Sequence, residues 1–372
     1  MSESKALPLV GILGDGQLSA MMTDAYHAIG GRTHVLGATA EAEAHQLADL
    51  STIGDIHSLD DLLSFFTEVD VVTIENEFID SEILIKASKQ TGVKVIPEPE
   101  GYSAIEDKLS ENRFFESVGA AIAEYKEINS IEDLPDEIGY LKLAKGGYDG
   151  IGTYRVETRE QAIDLFKKMQ SQGTVIFESA IDFKKEVSLV VAKSGEQLVF
   201  YPLVETHQDA GTCRYVSFPA GVSEEVEQHA QKMVGKIMQG LGCNGLFAFE
   251  LFLTQDDQLL VNESAPRPHN SGHITIDSTD CSQFENHMRA VAGIELKQPK
   301  IHFPAAMMIN LLATKDGVFD EQDVYSAVKD DKTAVRLYGK KTSRVKRKMG
   351  HINIWGDNLW QRARALTDNV DI

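Results

Sequence analysis

The chain of 372 residues carries 36 Lys and Arg against 57 Asp and Glu, a formal net charge of −21, with 42% hydrophobic and 25% charged residues. That length exceeds one ordinary core, and the composition excludes a disordered or low-complexity chain. An acidic surface repels nucleic-acid phosphates and anionic membranes, so neither is expected as a partner.

No apolar run reaches the roughly 18 residues a membrane helix needs. The start, Met1-Ser2-Glu3-Ser4-Lys5, lacks the basic region of a secretory leader. Cys213, Cys243 and Cys281 lie far apart, which excludes a disulfide framework or a zinc ribbon. A reducing cytoplasm is the expected compartment.

The first hundred residues alternate strand and helix patterns. Residues 9–13 form an apolar run ending at Gly14-Asp15-Gly16, and a helical pattern through Leu18, Met21, Met22 and Ala25 follows. Strand patterns recur at 33–36, 71–74 and 93–96, with helical ones at 59–66 and 82–88. Such alternation predicts a parallel sheet covered on both faces. Pro97-Glu98-Pro99 punctuates its end. From 103 to 300 the pattern becomes α+β. It predicts helices at 105–118, 159–170 and 223–240, and strands at 175–177, 187–191, 198–201, 246–253 and 258–262. The remainder predicts strands at 334–338 and 351–354, a helix at 321–328 and a C-terminal helix. The organisation is therefore a parallel α/β domain at 1–102, an α+β domain at 103–300 and a small α/β domain at 301–372.

Several motifs carry chemistry. Gly14-Asp15-Gly16-Gln17-Leu18-Ser19 joins a strand to a helix, where glycines admit a ligand and the helix N-terminus favours an anion. It misses the dinucleotide fingerprint at Ser19 and lacks the acidic residue ending the next strand. The turn also suits a tight βα connection without a ligand. Glu75 and Glu77 end a strand, where open α/β sheets bind ligands. Both face one way if the strand continues.

Lys142 precedes Gly146-Gly147-Tyr148-Asp149-Gly150-Ile151-Gly152, four glycines in seven residues. Such a loop can turn its N–H groups onto phosphates beside a lysine charge, though it is not a Walker A sequence. Glu250 lies in an apolar strand and Glu263 ends the next, after Asn262. Oxygen ligands on paired strands suit magnesium, which shares its shell with nucleotide phosphates. Ser264-Ala265-Pro266-Arg267-Pro268-His269-Asn270-Ser271-Gly272-His273 follows as a proline-stiffened polar loop. Six of the nine residues from 340 to 348 are basic, where 36 in 372 would place about 0.9. The run reads as an anion site or a solvated loop.

Together, GYDGxG, the strand ELF, NESAPRPHNSGH at 262–273 and the late YGK…RKMGH resemble the N5-carboxyaminoimidazole ribonucleotide synthase (PurK) family of ATP-grasp ligases in purine biosynthesis. The resemblance covers nearly the whole chain. Generic ATP-grasp proteins share the lysine and carboxylate pair but not the 262–273 string. It implies Rossmann-like, ATP-grasp and small C-terminal domains in a homodimer. It also implies that ATP, Mg2+, bicarbonate and 5-aminoimidazole ribonucleotide are used to make N5-carboxyaminoimidazole ribonucleotide, ADP and phosphate through carboxyphosphate.

The resemblance implies roles as well. Lys108 and Lys142 contact ATP phosphates under a loop comprising Gly147, Tyr148, Asp149, Gly150, Gly152 and Thr153. Glu178, Ile181 and Glu186 hold adenine and ribose, and His207 lines the nucleotide site. Glu250 and Glu263 bind magnesium beside Asn262. Tyr148, Asp149, Arg267 and His269 face bicarbonate and the substrate amine, and Asp149 or His269 accepts the amine proton. Lys340 and Arg347 grip the ribonucleotide phosphate. Glu75 approaches its ribose, with Gln17 and Asn270 completing that pocket. The chain departs from the family pattern at Asp15, Ser19, Lys108, Glu111-Asn112 and Ile151. Competing readings are a formate-using ATP-grasp transformylase, a catalytically silent nucleotide-binding paralogue and an NAD-dependent oxidoreductase.

Overall fold

A computed structural model describes residues 6–146, 152–209, 211–328 and 331–369. The first unit runs β1 (Leu9–Leu13), α1 (Gln17–Ala28), β2 (Arg32–Gly37), α2 (Glu43–Leu47), β3 (Leu50–Ile53), α3 (Leu59–Phe66), β4 (Val71–Ile74), α4 (Ser81–Thr91) and β5 (Lys94–Val95). The strands form a parallel sheet in the order β3-β2-β1-β4-β5. Alternation sends Val10 and Ile12 to one face and Leu13 to the other. Strand order reverses between β1 and β4, so their carboxyl ends open the crevice where such sheets place ligands.

After α5 (Pro99–Tyr102) and α6 (Lys108–Ser117) come β6 (Tyr125–Ile128), β7 (Gly139–Leu143), β8 (Thr153–Val156), α7 (Arg159–Met169) and β9 (Val175–Ser179). These strands make a four-stranded antiparallel sheet, packed on α7 through Leu141, Phe166 and Phe177. The chain continues through β10 (Phe183–Ser194), β11 (Gln197–Phe200), β12 (Val204–Asp209), β13 (Thr212–Phe218), α8 (Glu224–Leu241), β14 (Gly245–Thr254), β15 (Leu259–Ala265), α9 (Thr275–Ser278) and α10 (Gln283–Val291). The last elements are β16 (Ala306–Leu312), β17 (Gly317–Val318), α11 (Glu321–Ala327), β18 (Thr333–Leu337), β19 (Thr342–Ser343), β20 (Lys348–Trp355) and α12 (Leu359–Asn369).

A large sheet, in the order β15-β14-β10-β12-β13-β16-β20-β18, crosses from the central region into the C-terminal one through β13–β16 pairing. The first unit is bound to it as well. Leu13, Val72 and Ile74 share one core with Leu189, Phe247 and Ile237. On the other face, Phe284 and Met288 of α10 pack on Val10, Ile12 and Met22. His287 Nε2 meets Thr73 Oγ1 at 2.8 Å in that seam.

The sequence patterns miss several elements, among them the helices α2 and α10 and the strands β3, β12, β13 and β16. β3 is mostly exposed and lacks an apolar face. β12 and β13 are interrupted by a register shift at His207 and Gln208, which breaks the two-residue period. β16 is buried along almost its whole length, so it shows no alternation.

Candidate active site

α6 begins under Asp107, whose side chain caps the N–H groups of Leu109 and Ser110. This sets Lys108 facing β15. Its Nζ donates to Glu111 Oε2 at 3.0 Å and to the Asn262 carbonyl. Burial works to lower the Lys108 ammonium, but the carboxylates of Glu111, Glu178 and Glu263 overcome it and hold it above the ordinary lysine range. Lys142 on β7 pairs with Glu178 on β9, and Asn112 Nδ2 donates to the other Glu178 oxygen at 2.9 Å. Burial pushes Glu178 up, and the two lysines reverse this to leave it below its usual range. Glu178 therefore lies with Lys108 and Lys142. Glu186 on β10 meets Gln208, Ile181 precedes that strand, and Thr153 begins β8 after Gly152. His207 meets Ser217 Oγ at 3.1 Å and the edge of Trp360.

Glu250 and Glu263 stand directly opposite across β14 and β15. The register slips immediately afterwards, leaving Asn262 as an extra residue on β15. Bulges of this kind re-aim side chains beside active sites. Burial raises Glu250 well above the ordinary carboxylate range, and the nearby Glu263 and Glu186 raise it further. Two carboxylates crowded at one point suit a hard divalent cation with oxygen ligands. No cluster of three His, Cys, Asp or Glu poised to hold a metal occurs among the described residues. An ion held by this pair would therefore complete its shell with phosphate and water.

The loop after β15 turns back over this pair. Arg267 makes a two-pronged contact with Glu77, whose second prong from Nη2 is 2.7 Å long. His269 Nε2 lies 3.6 Å from Glu250 Oε1. Burial, then the charges of Arg267 and Lys348, lowers the His269 pKa to about 3. Asn270 exchanges paired amide hydrogen bonds with Asn310 on β16, which ties the loop to the C-terminal strands.

At the carboxyl ends of β1 and β4, Glu75 accepts N–H groups from Gly16 at 2.7 Å and Leu18 at 3.1 Å. Its carboxylate fills the α1 N-terminus, which begins at Gln17. β4 stops at Ile74, so Glu75 and Glu77 diverge, one toward α1 and one toward Arg267. Asp15 turns away to accept Thr39 N at 2.6 Å, and Ser19 Oγ donates to Gly14 O at 2.7 Å. Asp15 is thus taken up by the connection after β2, and Ser19 by the turn itself.

The basic run splits. Lys341, Arg344 and Lys346 are exposed, while Lys340, Arg347 and Lys348 are half-buried. Lys340 Nζ donates to the Lys348 carbonyl at 2.7 Å and lies over the Tyr338 ring. Burial, then the Arg347 charge, lowers its pKa to about 8, with Glu75 pulling the other way. Arg347 donates to Thr342 O at 2.8 Å.

The structure thus brings Glu75, Lys340 and Arg347 toward one end of the cleft. Arg267, His269 and Glu250 sit at its centre, and Lys108, Lys142 and Glu178 at the other end. Gly147, Tyr148, Asp149, Gly150 and Ile151 lie outside the described residues. One residue given no role from the sequence is Lys348, whose charge acts on both Glu250 and His269. Its place in the RKMGH string was the available signal.

Three family models match the chain: a ribonucleotide synthetase preATP-grasp domain at 7–106, an ATP-grasp domain at 113–284 and a phosphoribosylaminoimidazole carboxylase C-terminal domain at 306–365. The chain is 34% identical to a phosphoribosylaminoimidazole carboxylase of Ogataea methanolica, over 96% of this chain and 68% of that one. It is 31% identical to the N5-carboxyaminoimidazole ribonucleotide synthase of Staphylococcus saprophyticus, over 98% of both chains. A crystal structure of the Aspergillus clavatus N5-carboxyaminoimidazole synthase, in complex with ADP and 5-aminoimidazole ribonucleotide, matches with a TM-score of 0.88, at 26% identity and covering 98% of both chains. Three domains in this order, near-complete coverage of a bacterial synthase and the carboxylate pair beside a lysine-lined cleft make this chain a member of the N5-carboxyaminoimidazole ribonucleotide synthase family of ATP-grasp enzymes.

Proposed function

We propose that this chain carboxylates 5-aminoimidazole ribonucleotide on its exocyclic amine, using ATP and bicarbonate. The carrying observation is the opposition of Glu250 and Glu263 between two lysines on one side and a basic pocket on the other.

The γ-phosphoryl group of ATP passes to a bicarbonate oxygen, giving carboxyphosphate and ADP. Carboxyphosphate splits into carbon dioxide and phosphate. The amine nitrogen attacks the carbon of carbon dioxide, forming the N–C bond as one C=O π bond opens to a carboxylate, and its proton passes to Asp149 or His269. Lys108 and Lys142 neutralise the transferring phosphoryl oxygens, and positioning supplies most of the rate. Glu178 and Asn112 aim Lys142. Ile181, Glu186 and His207 take the nucleoside, and the 147–153 loop, with Gly147, Tyr148, Gly150, Gly152 and Thr153, closes over the phosphates to exclude water. Magnesium, held by Glu250 and Glu263 beside Asn262, would lower the charge on the phosphates. Arg267, with Tyr148, holds the bicarbonate-derived oxygens. Lys340 and Arg347 take the ribonucleotide phosphate, and Glu75 with Gln17 and Asn270 borders its ribose. The domain limits 1–102, 103–300 and 301–372, a homodimer and a cytoplasmic location complete the proposal. Among the described residues no helix is long and apolar enough to cross a membrane.

The test is ADP release from ATP, Mg2+ and bicarbonate, with and without the ribonucleotide. Strong stimulation, lost in Glu263→Gln, is expected. Stimulation by formate in place of bicarbonate would instead establish a transformylase. Nucleotide binding without stimulation would establish the silent paralogue.

A further inference from the structure

His269 sits in the centre of the cleft, and its ring is wired on one side only. The backbone N–H of Ser271 donates to His269 Nδ1 at 3.3 Å. A backbone N–H has no lone pair to offer, so Nδ1 must supply one. Ser271 Oγ lies 2.8 Å from the same nitrogen, so its hydroxyl hydrogen also points there. Ser188 Oγ lies 2.7 Å from Ser271 Oγ and is left as the donor in that contact. Ser188 and Ser271 are 0% and 1% exposed, so water does not compete for these groups. The backbone is held as firmly, because Gln283 accepts from His269 N at 3.0 Å and donates to His269 O at 2.7 Å. Ser188 also stands opposite Glu250 in the β10–β14 register. The far end of the relay and the carboxylate it serves therefore stand on one pair of strands.

We infer that Ser271 and Ser188 are positioning residues that hold His269 in its Nε2–H tautomer, making the ring a hydrogen-bond donor toward Glu250 and the reacting centre. Two donors converge on Nδ1, which leaves no room there for the second proton of an imidazolium. Nε2 then carries the only ring proton and faces Glu250 Oε1 at 3.6 Å, a gap a bound oxyanion or slight closure would bridge. This rests on the proposed function, and it refines it. A ring whose Nε2 already bears hydrogen does not take the amine proton there, so Asp149 is the candidate for that step.

The tautomer can be read directly. Protein labelled with 15N-histidine gives long-range 1H–15N patterns that separate a bare Nδ1 from a protonated one, and His269→Asn assigns the signal. Wild-type protein is expected to show bare Nδ1 and protonated Nε2. In Ser271→Ala the pattern should move toward a tautomer mixture. The kcat for ribonucleotide-dependent ADP release should fall about tenfold, with KM for ATP unchanged. Ser188→Ala should move both readouts the same way by less, and Ser188→Thr, which keeps the hydroxyl, should restore them. A protonated Nδ1 in wild-type protein, or a Ser271→Ala variant with unchanged tautomer and kcat, would overturn the inference. A tautomer shift in a protein without ribonucleotide-stimulated ADP release would support the relay and overturn the carboxylase reading instead.

Discussion

The Glu75 carboxylate caps the first turn of α1, with Gly16 N donating to Oε2 at 2.7 Å. A helix N-terminus favours an anion, and here the chain supplies its own. The turn glycines exist for this contact. A Cβ on Gly14 would lie 2.5 Å from Glu75 Oε2, and one on Gly16 would press on Oε1. Gly16→Ala should therefore destabilise the protein by about 1 to 3 kcal/mol. Much of that cost should vanish in a Glu75→Ala background, because the clash partner is gone. Denaturant unfolding of the two single variants and the double variant measures the coupling. Additive losses would show that the glycine is needed for something other than Glu75.

Lys340 should impose a pH limit on substrate binding. Its pKa falls from 10.5 to about 8 in the folded protein, mainly through burial. Between those values the folded chain holds fewer protons than the unfolded one. Burying this charge is thus unfavourable below about pH 8, and that penalty is relieved as pH rises through the window. Binding behaves oppositely, since a phosphate needs the ammonium. The KM for 5-aminoimidazole ribonucleotide should rise above about pH 8 in wild-type protein. In Lys340→Arg that limb should disappear, because a guanidinium stays charged. KM measured against pH for both proteins decides this.

Glu250 should be a stability liability without metal. Burial and the neighbouring Glu263 raise its pKa well above the ordinary range. A raised carboxyl stabilises the fold at low pH and loses that contribution as pH rises through its folded value. In EDTA near neutral pH, Glu250→Gln should therefore be more stable than wild type by about 1 to 2 kcal/mol. ADP release should fall by about 100-fold or more, because a neutral amide is a poor ligand for magnesium. Melting curves with and without Mg2+ should show a shift in wild type that is much reduced in the variant.

Glu77 orients Arg267 through two prongs. Glu77→Gln should cost about 1 to 3 kcal/mol, the worth of hydrogen bonds to a charged group. The kcat/KM for bicarbonate should fall about tenfold, while KM for ATP stays near wild type. An unchanged bicarbonate dependence would show that Arg267 acts independently of its partner. A chemical-denaturation curve alongside the kinetics separates lost stability from lost orientation.

Much of this architecture was legible in the chain. Alternating strand and helix patterns gave away the parallel sheet, because their periods are set by local geometry. Glu250, Asn262, Glu263, Arg267 and His269 stood out because a carboxylate in an apolar strand and a proline-stiffened polar loop are costly without a purpose. The β12, β13 and β16 strands escaped, since a register shift or near-complete burial removes the two-residue period on which reading depends.

Partnerships across the chain were decided by the tertiary structure alone. Glu75 and Glu77 look like a pair, yet β4 ends at Ile74 and sends one to α1 and the other to Arg267, 190 residues away. Asn270 reads as an isolated polar group of a loop, and only the fold shows that its amide pairs with Asn310, 40 residues away. Ser188 carries no signal at all, and only β10–β14 pairing and the turn of the 269–273 loop bring it to His269. Composition and period report local preference and which residues tend to be buried. Which polar group meets which is settled by long-range packing, because each buried donor must find whatever acceptor the assembled sheets leave within about 3 Å.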